Sequence, residues 1–66
     1  MLVLKTERGE LIGKMFKTQL GYYYKIYKNK QVVAISYVFL KSKKLCLERM
    51  HDDIDLLLSD EKVKLL

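Results

Sequence analysis

The chain is 66 residues long with one cysteine, one histidine, no proline and a formal charge of +5. A monomer this short has a marginal core unless a disulfide, a metal or a partner chain adds stability. Cys46 alone cannot close an intramolecular disulfide, and Cys46 with His51 cannot make a structural zinc site, so oligomerisation is the expected stabiliser.

The surplus of Lys and Arg favours polyanionic partners, nucleic acid above all. The opening Met1-Leu2-Val3-Leu4 is broken at once by Lys5, Glu7, Arg8 and Glu10, which excludes a signal-peptide core, and every apolar run is too short to cross a membrane as a helix. A soluble cytoplasmic protein with a reduced Cys46 and no membrane partner is expected. No nucleophile–base pair, glycine phosphate cradle or ligand cluster is present, so the expectation is a non-enzyme without cofactor or metal.

In chain order, Leu2 and Leu4 alternate with Val3 and Lys5 as a first strand, Arg8-Gly9 supplies a hairpin turn, and a second strand runs from Leu11 to Phe16. Gly21 precedes Tyr22 to Tyr27, an aromatic and β-branched third strand, and Lys28-Asn29-Lys30-Gln31 reads as the turn into a fourth strand, Val32 to Val38. A two-residue Asn29-Lys30 loop pairs Ile26 with Val33 and Tyr24 with Ile35. That register collects Tyr22, Tyr24, Ile26, Val33, Ile35 and Tyr37 on a core face and puts Tyr23, Lys25 and Tyr27 opposite, with Val32 and Ala34.

Lys41-Ser42-Lys43-Lys44 reads as a solvated loop, followed by a fifth strand in which Leu45, Leu47 and Arg49 alternate with Cys46 and Glu48. A helix is then expected from about His51 to 60, because Asp52 and Asp53 suit a helix N-terminus and Ile54, Leu57 and Leu58 form an apolar stripe. The alternative is a helix from near Lys44, since Leu47, Met50, Ile54, Leu57 and Leu58 also fit helical spacing.

Several patches, in order and spacing, resemble the carbon storage regulator family. They are Met1-Leu2-Val3-Leu4 followed by Gly9-Glu10 and Ile12-Gly13, then Lys28-Asn29-Lys30-Gln31-Val32, then Leu45-Cys46-Leu47-Glu48-Arg49 and Asp52-Asp53-Ile54. Thr6 and Glu7 stand where the family carries basic residues, with Lys5 and Arg8 as displaced substitutes. The resemblance implies a single mainly β domain over residues 1–66, with strands over about 1–50 and a C-terminal helix. It further implies five short strands plus one helix per chain in an intertwined homodimer, where strand one of one protomer lies beside strand five of the other. Family members capture GGA in hairpin loops of messenger leaders and repress translation or alter transcript stability.

The RNA-binding residues this implies are Leu4, Lys5, Thr6, Arg8, Lys44, Leu45, Leu47 and Arg49. Loop bases are read by contact surfaces, base-edge hydrogen bonds and cations, and a guanidinium at position 49 could donate a bidentate pair to a guanine edge. The ordinary reading of Leu4, Leu45 and Leu47 is core packing, and that of Arg49 a solvated surface arginine. Cys46 reads as a small buried apolar residue and His51 as structural.

Two further readings compete. One is an accessory protein that binds a related regulator. The other is a generic single-strand binder, built as a four-stranded meander plus helix with its Tyr-Lys face outward, where Tyr23 and Tyr27 stack bases.

Overall fold

Alternating side chains in the first half of the chain become four strands in a computed structural model that describes the backbone of residues 1–64 and the side chains of residues 1–59. They are β1 (Leu2–Arg8), β2 (Leu11–Thr18), β3 (Gly21–Lys28) and β4 (Gln31–Ile35), followed by one helix, α1 (Lys43–Lys64). The strands form a single antiparallel sheet in the order β1-β2-β3-β4, so each pairs with its neighbour in sequence. The expected mainly β architecture with a C-terminal helix is what the chain adopts.

Each hairpin turn has a local cause. Gly9 sits at φ 60°, and Asn29 and Lys30 both take positive φ, at 52° and 67°. Two consecutive residues of that hand are what a two-residue type I′ turn requires. Between β2 and β3, the Thr18 hydroxyl accepts from the Leu20 amide and donates to the Gly21 carbonyl, both at 3.1 Å.

One face of the sheet carries Leu11 and Met15 from β2 with Tyr24 and Ile26 from β3, all buried. Helix α1 lies across these two strands and adds Cys46, Met50 and Ile54, each fully buried, while Leu40 closes one end. Positions 46, 50 and 54 recur every four residues, so they form one stripe on a helix. Leu4, Leu47, Leu57 and Leu58 pack at the margins of this core.

The expected fourth strand is corrected in length and register. A bulge between Ile26 and Tyr27 pairs Ile26 with Ala34 and Lys25 with Ile35, in place of Val33 and of Tyr24 with Ile35. The extra residue turns Ile35 to the face of Lys25, because neighbouring strand positions point to opposite sides. The strand ends at Ile35: the Ser36 amide still donates to the Tyr24 carbonyl at 3.0 Å, but the Tyr24 amide donates to the Ser36 hydroxyl, also at 3.0 Å, in place of a backbone carbonyl. The chain then returns to β3 at Leu40, which exchanges two backbone hydrogen bonds with Tyr22, each 2.7 Å.

The expected fifth strand is also corrected: Leu45 to Arg49 lie inside α1, which starts at Lys43 and not near His51. Ser42 explains the early start. Its hydroxyl accepts from the Leu45 amide at 3.3 Å, and its carbonyl accepts from the Cys46 amide at 3.0 Å, so it is the N-cap. Asp52 and Asp53 therefore fall in the helix interior. With residues 45–49 helical, the fold holds four strands among the described residues and offers no fifth strand to exchange with β1 of a second chain.

Candidate nucleic-acid interface

The face of the sheet opposite α1, called the open face below, follows from the register. Lys5 pairs with Lys14, Lys14 with Lys25 and Lys25 with Ile35, so three lysines stand side by side across β1, β2 and β3. Like charges directly opposite one another on a sheet destabilise it, each pair by roughly 0.2–1 kcal/mol. Glu7 lies two positions along β1 from Lys5 and pairs with it at 3.3 Å. Lys14 Nζ stands 5.0 Å from the centre of the Tyr27 ring. Lys25 has no ion pair among the described residues.

Aromatic rings flank this row on both sides. Phe16 and Tyr23, paired across β2 and β3, stack with centroids 5.0 Å apart and planes 20° from parallel. Phe39 meets Tyr23 edge-on at 5.8 Å, with planes at 88°. On the other side of the row Tyr27 faces the same way, paired with Ile12 and Val32. Next to Tyr23 an open cleft of about 330 Å³ is lined by Thr18, Tyr23, Ile35, Ser36, Tyr37 and Phe39, among others.

The residues expected to bind RNA from the family resemblance are dispersed. Lys5 alone lies on the open face, in the lysine row. Leu4, Thr6 and Arg8 pair with Met15, Gly13 and Leu11 and so face the helix side. Leu4 packs against the core, and the Arg8 guanidinium donates to the Asp55 carboxylate of α1. Lys44 and Leu45 are exposed in the first turn of α1, Leu47 is half-buried at the core margin, and Arg49 is exposed.

Arg49 shares a shallow cleft with Tyr24, Leu45, Glu48, Asp52 and Asp53. Three carboxylates against one guanidinium make that cleft acidic, a poor seat for a phosphate. The Tyr24 hydroxyl donates to Asp53 across it, and burial, seconded by this bond and the charge of Asp53, holds the phenol well above its ordinary value of 10. Burial also raises the Cys46 thiol, which together with its position in the core makes it inert.

Tyr23, Lys25 and Tyr27 were legible as a possible stacking face. Tyr37, expected on the core face with Val33, is corrected: β4 ends at Ile35, and both side chains are exposed. Lys14, Phe16 and Phe39 were not singled out, although Ile12, Lys14 and Phe16 alternate on β2 with the buried Leu11, Gly13 and Met15. That alternation is the signal that places Lys14 and Phe16 beside the tyrosines.

Among the described residues no group of His, Cys, Asp and Glu is arranged to hold a metal ion, and no helix is long and apolar enough to cross a membrane. Comparison of the chain with protein-family models, curated proteins and solved structures finds no match.

Proposed function

We propose that the chain is a single-stranded RNA-binding module whose ligand lies across the open face of the sheet. The observation that carries this reading is the row Lys5-Lys14-Lys25, in direct register on three adjacent strands. Such a row is unfavourable for the sheet, offset in part by Glu7 beside Lys5 and the Tyr27 ring beside Lys14, and a polyphosphate laid over it would relieve the remaining repulsion. Rings at Phe16, Tyr23 and Tyr27 beside the row supply the stacking surface that single-strand binders combine with cations. Among the described residues Glu7 is the one acidic residue in register on this face.

The test is a titration of labelled single-stranded RNA across a salt series, with DNA of the same sequence alongside. Three phosphate contacts predict a slope of log K against log salt of about −2, at roughly −0.7 per phosphate for single strands. Replacing Lys14 and Lys25 together by Gln should flatten the slope and weaken binding. Salt-independent affinity, or affinity unchanged by the double replacement, would sink the reading.

The narrower role implied by the family resemblance is capture of GGA in messenger-leader hairpins by an exchanged dimer, with control of translation in the cytoplasm. It enters as an arm of the same titration. A GGA-loop hairpin bound much more tightly than a scrambled loop, with the preference lost in Arg49→Ala, would favour it over the open face.

A further inference from the structure

The lysine row ends at Lys25, whose partner across the strands is Ile35, and Ile35 is itself a wall of the cleft beside Tyr23. The cationic track and the cleft are therefore contiguous. At about 330 Å³ the cleft falls at the small end of ligand sites, which run from about 300 to 1,000 Å³. Its walls are chiefly rings and aliphatic groups. Besides the phenol groups of Tyr23 and Tyr37, its polar side chains are the hydroxyls of Thr18 and Ser36.

Two details separate this cleft from an ordinary dent in the surface. Tyr37 is 94 % exposed although it forms one wall, so its ring packs on little of this chain and is available to a ligand. The backbone on either side is held: Ser36 bonds to Tyr24 through both its amide and its hydroxyl, and Leu40 bonds twice to Tyr22. The three residues between these anchors carry Tyr37 and Phe39 on a short span fixed at both ends. The Ser36 hydroxyl accepts from the Tyr24 amide, which leaves its own hydrogen for an acceptor; none is provided among the described residues.

We infer that this cleft captures one unstacked base of the strand bound on the lysine row, held against Tyr37, Tyr23 and Phe39, with the Ser36 hydroxyl donating to a base oxygen or ring nitrogen. The inference rests on the proposed RNA-binding face and adds a base-reading site to it. The lysines contact phosphate and cannot distinguish sequence, whereas a base seated in a walled cleft with one fixed donor is discriminated by size and by acceptor position. A sequence preference at one nucleotide follows.

The experiment compares a short single-stranded RNA with an oligomer of the same length and charge made of abasic units, binding each to the wild-type protein, to Tyr37→Ala and to Lys25→Gln. Tyr37 is so exposed that its truncation spares the fold, which thermal unfolding verifies. Tyr37→Ala should weaken the base-bearing strand by roughly tenfold, within the range known for loss of one stacked base. It should leave the abasic strand unchanged, while Lys25→Gln should weaken both. If Tyr37→Ala leaves both strands unchanged, or weakens both alike, the base cleft is overturned while a lysine-dependent face survives. If neither strand binds the wild-type protein, the RNA-binding reading itself falls, and the cleft with it.

Discussion

Gly13, in the middle of β2, lies directly against Met50 of α1: a Cβ built on Gly13 would stand 2.9 Å from Met50 Sδ and 3.2 Å from Ile54 Cδ1. The helix can approach the sheet this closely because the strand has no side chain there. Thr6 Cγ2, also 3.2 Å away, closes the remaining side. Gly13→Val should therefore lift α1 off the sheet and cost about 2–3 kcal/mol, the upper part of the usual overpacking range. At roughly 4–8 °C per kcal/mol for a domain of this size, thermal unfolding followed by circular dichroism should register a loss of at least about 8 °C. A shift of a degree or two would mean the helix is not held against β2 in solution.

Truncating the helix side of the same contact should cost more. Ile54 is fully buried between the sheet and α1, and Ile54→Ala should destabilise by about 2–5 kcal/mol through lost burial and the cavity left behind. In a chain of 66 residues that is a large share of a total stability near 5 kcal/mol, so the variant should be partly unfolded at 37 °C. Urea unfolding of Ile54→Val, the smaller truncation, provides a measurable companion.

The Tyr24–Asp53 bond gives the fold a dependence on alkaline pH. The Tyr24 phenol is raised above its ordinary value of 10 when the chain is folded, so above that pH the unfolded chain releases a proton that the folded chain keeps. The folded state then binds more protons, and stability falls as pH rises. The contribution is complete below pH 10 and is lost progressively as pH climbs toward the folded value. Urea midpoints measured between pH 9 and 11 should decline less steeply in Tyr24→Phe than in the wild-type protein. The same substitution should cost about 1 kcal/mol at neutral pH through the lost hydrogen bond.

Relieving the lysine row should raise stability while lowering affinity. Lys25→Thr removes the central strand's unpaired charge and introduces a residue well suited to a strand, and it should raise unfolding stability by about 0.5 kcal/mol. RNA affinity should drop and its salt slope become shallower by about 0.7 for one lost phosphate contact. A lysine kept only for structural reasons would show the opposite sign on stability.

Arg8 and Arg49 are the two arginines of the chain, and the fold employs both on the helix side. Arg8 pairs with Asp55 at a largely exposed position, a contact worth less than about 1 kcal/mol. Arg49 sits among Glu48, Asp52 and Asp53. Arg49→Ala should leave RNA affinity within about twofold, whereas Tyr23→Ala should lower it by roughly tenfold, the loss expected when one stacking ring is removed. An inverted outcome would return the site to the residues implied by the family resemblance.

The four strands were legible because turn chemistry and alternation agree through residue 31: Gly9 and the Asn29-Lys30 pair take the positive φ their turns need, and β2 and β3 alternate between buried and open sides. The bulge at Ile26/Tyr27 was not legible, since Val32, Val33, Ala34 and Ile35 are all apolar and accept either register. Residues 45 to 49 carried two periods at once. Leu45, Leu47 and Arg49 read as a strand, yet Leu47, Met50, Ile54, Leu57 and Leu58 fit helical spacing, and burial of Cys46, Met50 and Ile54 on one stripe decides for the helix. Ser42, three residues before Leu45, was the cue that a cap and not a loop begins there. The lysine row was hidden because it exists only across strands: Lys5, Lys14 and Lys25 are far apart in sequence, and only the pairing of β1, β2 and β3 aligns them.

The strictly sequential strand order also shapes the order of events during synthesis. Each strand can pair with the one made just before it, so the sheet can assemble hairpin by hairpin with short loop closures, a topology that folds fast. Its apolar side nevertheless stays uncovered until Cys46, Met50 and Ile54 have left the ribosome, because the strands alone supply only half of the core. A nascent chain stalled before residue 43 would present Leu11, Met15, Tyr24 and Ile26 to its surroundings, beside a β4 edge that carries no charge. That intermediate is the species most exposed to aggregation and to chaperone capture, and the helix is what ends its vulnerability.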